Sequence, residues 1–394
     1  MSKPSILHIA PENTAGVPYN LMKMQRMFGF DSRLCAETPA FAETLRAGRH
    51  SGVQARLISF YKIPFDFPED ICLNLSLPRN KLAMKWRELK QSKLHDKIKE
   101  NKIDKWTHMP YFDEGNAAEK IYRRNRERKN SPVFEKALKE IAAENFDVFH
   151  FDGGIDFYSD CRFAKKMKQA GKKIVNCYYG DDLRTRGIVK EMDEMSDLNL
   201  TFEYDHTLRH PKINFLFFPF EQDSIRFIDD ETYHTDLDKG KLRIIHSPTH
   251  RFIKGTQEII EAIEKVKANR EIEFVLIENM LREKLIDLKR TCHVAIDQIG
   301  NRGGTGYGIN SLENLSMGLP TITDMNCGMD TWLPKNPFVV ANKDNLAETL
   351  IEIIDNKEKY FSNRNLLRDW VVKYHSYQSV MTKLSEYYKA NNIL

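Results

Sequence analysis

Short runs of β-branched and other apolar residues alternate along this chain with longer stretches in which apolar side chains recur at helical spacing. Runs at residues 6–10, 32–35, 55–58, 146–151, 173–179, 198–202 and 214–218 predict the strands of a first half. Runs at 241–246, 273–277, 293–297 and 319–323 predict those of a second. Helices are predicted between them: one beginning near Tyr19, one over 257–269, and a long aromatic-rich one over 363–391. Strands that alternate with helices argue for α/β architecture with parallel sheets. Ligands of such sheets sit beyond the carboxyl ends of the strands, so the loops that follow strands are where chemistry is expected.

Two segments break the alternation. Residues 79–130 are polar, helical in spacing and poor in β-branched residues, and read as an inserted helical excursion. Residues 229–240 are polar without periodicity and read as a linker. The expected organisation is an N-terminal domain over 1–228 carrying the insertion, a C-terminal domain over 241–362, and a helical segment 363–394 that crosses back to the first domain.

Composition narrows the class. A chain of 394 residues with 41% hydrophobic and 29% charged residues suits a two-domain globular enzyme. No apolar run approaches the ~20 residues needed to cross a bilayer. The first ten residues are too short and interrupted for a secretory signal and read as a first buried strand. Six cysteines are scattered with no CxxC pair, as expected of reduced residues in a cytoplasmic protein. The charge is uneven: residues 79–130 hold sixteen Lys/Arg against eight Asp/Glu, a net of +8 in a chain whose total is +4.

The most specific stretch runs from Gly303 to Pro320 and reads as a glycine-rich loop entering a short helix that ends at Gly318. Glycines admit a ligand close to the backbone, and N–H groups at a helix N-terminus favour an anion such as a pyrophosphate. Glu313, further along, is placed to accept both hydroxyls of a ribose. Arg251 and Lys254 stand at a predicted strand-to-helix junction, where positive charge is unfavourable unless an anion meets it. Asp297 reads as a turn residue or as a second carboxylate of this site.

This arrangement resembles the C-terminal domain of GT-B glycosyltransferases, the family-4 retaining type in particular. The resemblance spans both halves but is specific only at residues 244–257 and 297–320. It implies two doubly wound Rossmann-like domains facing a cleft, and a hexosyltransferase-like enzyme that uses a nucleotide-diphosphate-sugar. Arg251 and Lys254 would hold the diphosphate, Glu313 the ribose, and Gly306, Tyr307, Gly308, Asn310 and Ser311 the diphosphate or sugar. Retention and front-face departure of the diphosphate are likewise implied. So is the absence of a metal or other cofactor, because cations stand where the phosphates would lie. The chain departs from the family in two places: Thr305 replaces the earlier of two glutamates, and Tyr179 replaces a histidine that contacts the transferred sugar.

In the first half, Gly16 and Val17 resemble the family's first loop, which approaches the donor phosphate or the acceptor; turn geometry explains that glycine equally well. His150 ends a predicted strand and reads either as a site residue or as a packed core histidine. Asp181, Asp182 and Arg184 follow Tyr179 just past a buried strand. Adjacent carboxylates there suit orienting an acceptor hydroxyl or acting as a base, and an Asp182–Arg184 pair bracing the loop is the plainer reading.

The basic stretch 79–130 interleaves Trp86, Trp106, Tyr111 and Phe112 with lysines. A solvated surface, peripheral contact with an anionic membrane, and nucleic-acid binding are its three readings, in that order for the first and last. The function expected is transfer of a sugar to a carbohydrate, glycolipid or glycoprotein acceptor in the cytoplasm, with peripheral contact at the inner face of the membrane as a further reading, and without nucleic acid. A non-catalytic partner subunit of the same fold and a sugar-nucleotide epimerase are the alternatives.

Overall fold

The computed structural model describes residues 3–11, 16–36, 72–75, 93, 97, 100, 104–180, 182–231, 233, 242–278, 280–300, 302, 304 and 306–394. The strand expected at 55–58 and most of the insertion before residue 104, Trp86 included, lie outside the described residues. The chain divides into two compact units. One takes the described residues up to Pro219 together with Val380–Leu394, and the other takes Phe220–Ser379.

The first unit is built on seven parallel strands: β1 (Ile6–Ala10), β2 (Ser32–Ala36), β3 (Cys72–Asn74), β4 (Val148–Asp152), β5 (Lys173–Tyr178), β6 (Leu198–Thr201) and β7 (Ile213–Phe215), in the order β3-β2-β1-β4-β5-β6-β7. Every residue of β1 and β4 is buried, as a parallel sheet covered on both faces requires. Its described helices include α1 (Val17–Met27), α2 (Ala117–Glu140), α3 (Arg162–Gln169), α4 (Lys190–Met195) and α5 (Tyr204–Arg209). Phe134 of α2 and Phe163 and Met167 of α3 pack with Phe149, Phe151 and Ile174 of the sheet.

α2 starts inside the predicted insertion, at Asn116, whose side chain accepts the Glu119 N–H at 3.0 Å. It runs well past residue 130, because Phe134 and Ala137 beyond that point are buried and anchor it. The long helix expected over 363–391 is instead broken at Ser376. The Ser376 hydroxyl accepts the Ser379 N–H at 3.2 Å and so caps a new helix, Tyr377–Ala390.

Burial of a carboxyl group leaves a pH signature in the first unit. Asp156 follows β4 and is 8% exposed; burial pushes its carboxyl up to about 7, against the backbone N–H groups of Ala164 and Tyr158 that bind it. A carboxyl raised in the folded state favours folding only while it stays protonated. Its contribution therefore declines as pH rises from about 4 towards 7, on the order of 2–4 kcal/mol across the window. Asp156→Asn is expected to flatten that decline in urea unfolding at pH 5 and pH 8; an unchanged slope contradicts it.

The second unit holds five parallel strands: β8 (Leu242–His246), β9 (Ile272–Leu276), β10 (Val294–Ile296), β11 (Thr321–Thr323) and β12 (Val339–Val340), in the order β12-β11-β10-β8-β9. Its helices include α6 (Thr256–Lys267), α7 (Arg282–Lys289), α8 (Ile309–Ser316), α9 (Leu346–Asp355) and α10 (Asn365–His375). Part of the segment read as a linker is packed in place. Arg364, fully buried, donates to the carbonyls of Gly318 (2.9 Å) and Ile228 (2.8 Å) and to Asp230 (2.8 Å). Its guanidinium lies over the ring of buried Tyr233, whose hydroxyl donates to the His293 carbonyl at 2.7 Å.

Strand order reverses once in each sheet, between β1 and β4 and between β8 and β10. The crevice beyond the carboxyl ends at such a reversal is where doubly wound sheets bind ligands. Among the described residues no helix is long and apolar enough to cross a membrane.

Candidate functional site

In the second unit the reversal brings Ser247, after β8, beside Asp297, after β10. His246 ties the place together. Its Nδ1 donates to the Ile296 carbonyl (2.9 Å) and its Nε2 accepts from the Thr256 hydroxyl (2.9 Å), joining β8, β10 and the start of α6. Burial pushes this imidazole down to about 4, so it stays neutral in that tautomer. Gly255 opens α6 in the left-handed region at φ 65°. A Cβ there would stand 1.8 Å from the Ile299 carbonyl oxygen, and the Ile299 N–H donates to the Lys254 carbonyl at 3.1 Å. Only glycine allows this approach, which fixes Lys254 against the loop after β10.

Lys254 turns its ammonium onto Asp297 (2.9 Å) and Gln298 (3.1 Å). Asp297 also accepts from Asn310 (3.1 Å) and Ser311 (2.8 Å) of α8. Burial opposes ionisation of Asp297, but the Lys254 charge and these hydrogen bonds outweigh it and hold its carboxyl below the usual value. From Asn310 the network continues: its Oδ1 accepts from Lys289 at 2.6 Å, and Lys289 reaches Glu313 at 2.9 Å. Arg282 donates to the other Glu313 oxygen at 2.7 Å. Burial opposes the charge on Glu313 too, and Lys289 and Arg282 overcome it, again leaving the carboxyl lowered.

The structure thus gathers Lys254, Asn310, Ser311 and Glu313 into one connected group, and α8 enters it with an open N-terminus. Gly308 precedes α8 in extended backbone, and among the described residues nothing lies within 4 Å of where its Cβ would be and no side chain caps the helix, whose own first turn holds no acid. Gly306 has a different setting: its Cβ would meet the Met329 sulfur at 2.6 Å, so the Met329 side chain packs against this glycine. Tyr307 turns to α10, its hydroxyl 3.0 Å from His375 Nε2 and its ring stacked on Phe338. Arg251 stays half-exposed and is clamped by Glu278 at 2.7 Å. Glu313 differs most from its expected role. Its side chain is 1% exposed with both oxygens occupied by cations, which is not the open ribose acceptor the resemblance implied. Thr305 lies outside the described residues.

The first unit's reversal places His8 of β1 beside His150 of β4, ring centroids 4.5 Å apart. β4 continues to Asp152, so His150 is interior to the strand and fully buried. Its Nε2 meets the Tyr388 hydroxyl at 2.5 Å and its Nδ1 lies 3.6 Å from Cys177 Sγ. Burial, then nearby His8, depress its basicity strongly. The geometry fits the packed-core reading of His150 rather than the site-residue one.

Asp152 occupies the strand end instead. It receives the Tyr179 hydroxyl on one oxygen and faces His8 Nδ1 at 3.4 Å with the other. Burial raises its carboxyl, with His8 opposing the rise. Tyr179 stacks on Phe202 at 5.6 Å. Asp182 accepts the backbone N–H groups of Tyr179, Gly180 and Leu183, each at 2.8 Å. The expected Asp182–Arg184 brace is replaced by a stronger one. Arg184 forks onto Asp205 (2.6 and 2.8 Å) and reaches Glu203 (2.6 Å), so it is committed to the fold rather than presented to a ligand. Gly16 is left-handed at φ 74° and starts α1, with Val17 buried behind it. Asp181 lies outside the described residues.

Asp152, Arg282 and Lys289 escaped the sequence reading. Each left a signal: an acid ending a buried strand, an arginine opening a helix, and a lysine four residues beyond buried Leu285 on the same helical face.

No protein-family model and no curated protein matches this sequence. Solved structures match it over nearly its full length. A glycosyltransferase from Rickettsia africae ESF-5 matches with a TM-score of 0.60 at 12% identity, covering 99% of each chain. The trehalose-6-phosphate synthase OtsA matches at 0.60 and 11%, covering 97% of this chain and 99% of its own. Anabaena HepE, solved in complex with UDP and glucose, matches at 0.56 and 10%, covering 98% of this chain and 100% of its own. At such identities the likeness is one of fold. With strand orders of the two doubly wound types in its two sheets, the chain has the GT-B fold.

Proposed function

We propose that this chain is a glycosyltransferase that moves a sugar from a nucleotide-diphosphate-sugar to an acceptor hydroxyl. One observation carries the reading: at the strand reversal of the second sheet, Lys254 and the first turn of α8 meet on Asp297, and no side chain of the described residues caps that helix. Charge develops on the diphosphate as it leaves. A fixed ammonium and the N–H groups at a helix N-terminus stabilise it without reorganising at the moment of reaction. The fold supports the same reading, since HepE was solved with UDP and glucose.

The acceptor belongs on the first unit in this account. Tyr179 follows β5, next to the end of β4 at that unit's own strand reversal, and its phenol, anchored on buried Asp152, suits holding a sugar hydroxyl. Asp182 rigidifies the loop that carries Tyr179. The basic stretch 79–130 would face anionic lipid head groups and bring a glycolipid acceptor within reach.

A catalytically silent partner subunit is the second reading, favoured by the closed carboxylate of Glu313. Turnover separates the two. UDP-, GDP- and ADP-sugars are incubated with and without a mixture of glycan and glycolipid acceptors, and released nucleoside diphosphate is measured. Acceptor-dependent release, lost in Lys254→Gln, is the expected result. No release under any condition favours the silent subunit, and conversion of the donor sugar without acceptor points to an epimerase.

A further inference from the structure

The charges of the second-unit site do not balance. Glu278 neutralises Arg251 and Asp297 neutralises Lys254, each as one cation to one carboxylate. Glu313 meets two cations, Lys289 and Arg282. Among these ion pairs of the described residues, four cations thus meet three carboxylates, one cation more than the carboxylates that hold them. Lys289 is fully buried and committed to Glu313 and Asn310, so the excess is expressed at Arg282, whose side chain is 30% exposed.

Arg282 is also spent only in part. Its Nε donates to Glu313, while its two terminal nitrogens have no partner among the described residues. It is the first residue of α7, the end of a helix at which a cation is disfavoured. The carboxylate that grips it is held from behind by a buried lysine, so the guanidinium is oriented before any ligand arrives. A planar fork with its ends free suits two oxygens of one phosphate.

We infer that Arg282 is an anion-binding residue of this site, its terminal nitrogens taking oxygens of the nucleoside diphosphate. Glu313 acts as a positioning residue that fixes Arg282, in place of the ribose contact that the resemblance implied. The inference rests on the donor-site reading given above.

The full-length protein, Arg282→Gln and Arg282→Lys are titrated calorimetrically with UDP, GDP and ADP and with the matching nucleosides, at low and high salt. Arg282→Gln is expected to weaken binding of the preferred diphosphate about 10- to 100-fold, the range of one charge-assisted hydrogen bond, and more at low salt. Nucleoside binding stays unchanged, and Arg282→Lys, which keeps the charge without the fork, recovers part of the loss. Wild-type affinity in Arg282→Gln overturns the inference and leaves the donor-site reading standing. An equal loss for nucleoside and diphosphate overturns it too, assigning Arg282 to the base or ribose. Absence of diphosphate binding in the wild type sinks the donor-site reading and the inference with it. If Arg282→Gln does not fold, as judged by its melting curve, Arg282→Lys decides: unchanged diphosphate affinity and salt dependence overturn the inference.

Discussion

Lys289→Met removes on the order of 3–5 kcal/mol from the stability of the protein, the usual cost of stripping one partner from a buried ion pair. Both members are out of water: Lys289 is 0% and Glu313 1% exposed. Their attraction offsets desolvation only while the pair is complete, and Lys289 further satisfies the Asn310 oxygen at 2.6 Å. Methionine matches the lysine stem in length but offers no donor. Glu313 would then keep only Arg282, and burial would raise its carboxyl from the lowered value it has now. Because that carboxyl is depressed in the folded protein, its contribution is present at neutral pH and fades as pH falls through the carboxylate range. The deficit of Lys289→Met is therefore larger at pH 7 than at pH 4. Adding Glu313→Leu should recover most of it, since the uncompensated charge goes too. Urea unfolding of the two singles and the double measures the coupling; additive losses, or a loss below about 1 kcal/mol for Lys289→Met, contradict the account.

Gly255→Ala is the second large effect. The residue sits at φ 65°, and the added methyl would stand 1.8 Å from a backbone oxygen of Ile299, which no side-chain rotation relieves. Gly171 isolates the conformational part of this cost. It is also left-handed, at φ 78°, with nothing among the described residues within 4 Å of a Cβ. Gly171→Ala should cost about 1–2 kcal/mol, the left-handed penalty alone. Gly255→Ala should cost more, on the order of 3 kcal/mol or above, because backbone must move as well. The movement also pulls Lys254 from Asp297 and Gln298, so diphosphate binding should be lost at temperatures where the variant is still folded. Equal destabilisation at the two glycines, or unimpaired binding in Gly255→Ala, shows that the close approach does not set the site.

How much of this could be read in advance depended on the distance between the groups involved. β1, β4, β5 and β8 were legible because they are almost wholly buried and read as short, mostly apolar runs. β3 was missed: it is three residues long, too short for any pattern. The break at Ser376 was hidden inside a helical run, where one capping serine outweighed the periodicity on either side. The donor-side loop stood out because glycines and cations sit together at strand-to-helix junctions, which is local information. Its electrostatics were not local. Glu313 draws its partners from 24 and 31 residues away on α7, and Arg184 draws its own from 19 and 21 residues away. A carboxylate read as open to a ligand, and an arginine read as pairing with its neighbour, were each claimed by groups that only folding brings near.

The central claim is that the second unit holds a nucleoside diphosphate at Lys254 and the N-terminus of α8. Calorimetric titration with UDP, GDP, ADP and CMP tests it most directly, with Lys254→Gln as the control, since a carboxamide still donates to Asp297. The account predicts saturable binding of one diphosphate in preference to the others, with CMP weaker, and a loss of about tenfold or more in Lys254→Gln. Heat from none of the four, or binding that Lys254→Gln leaves intact, contradicts it.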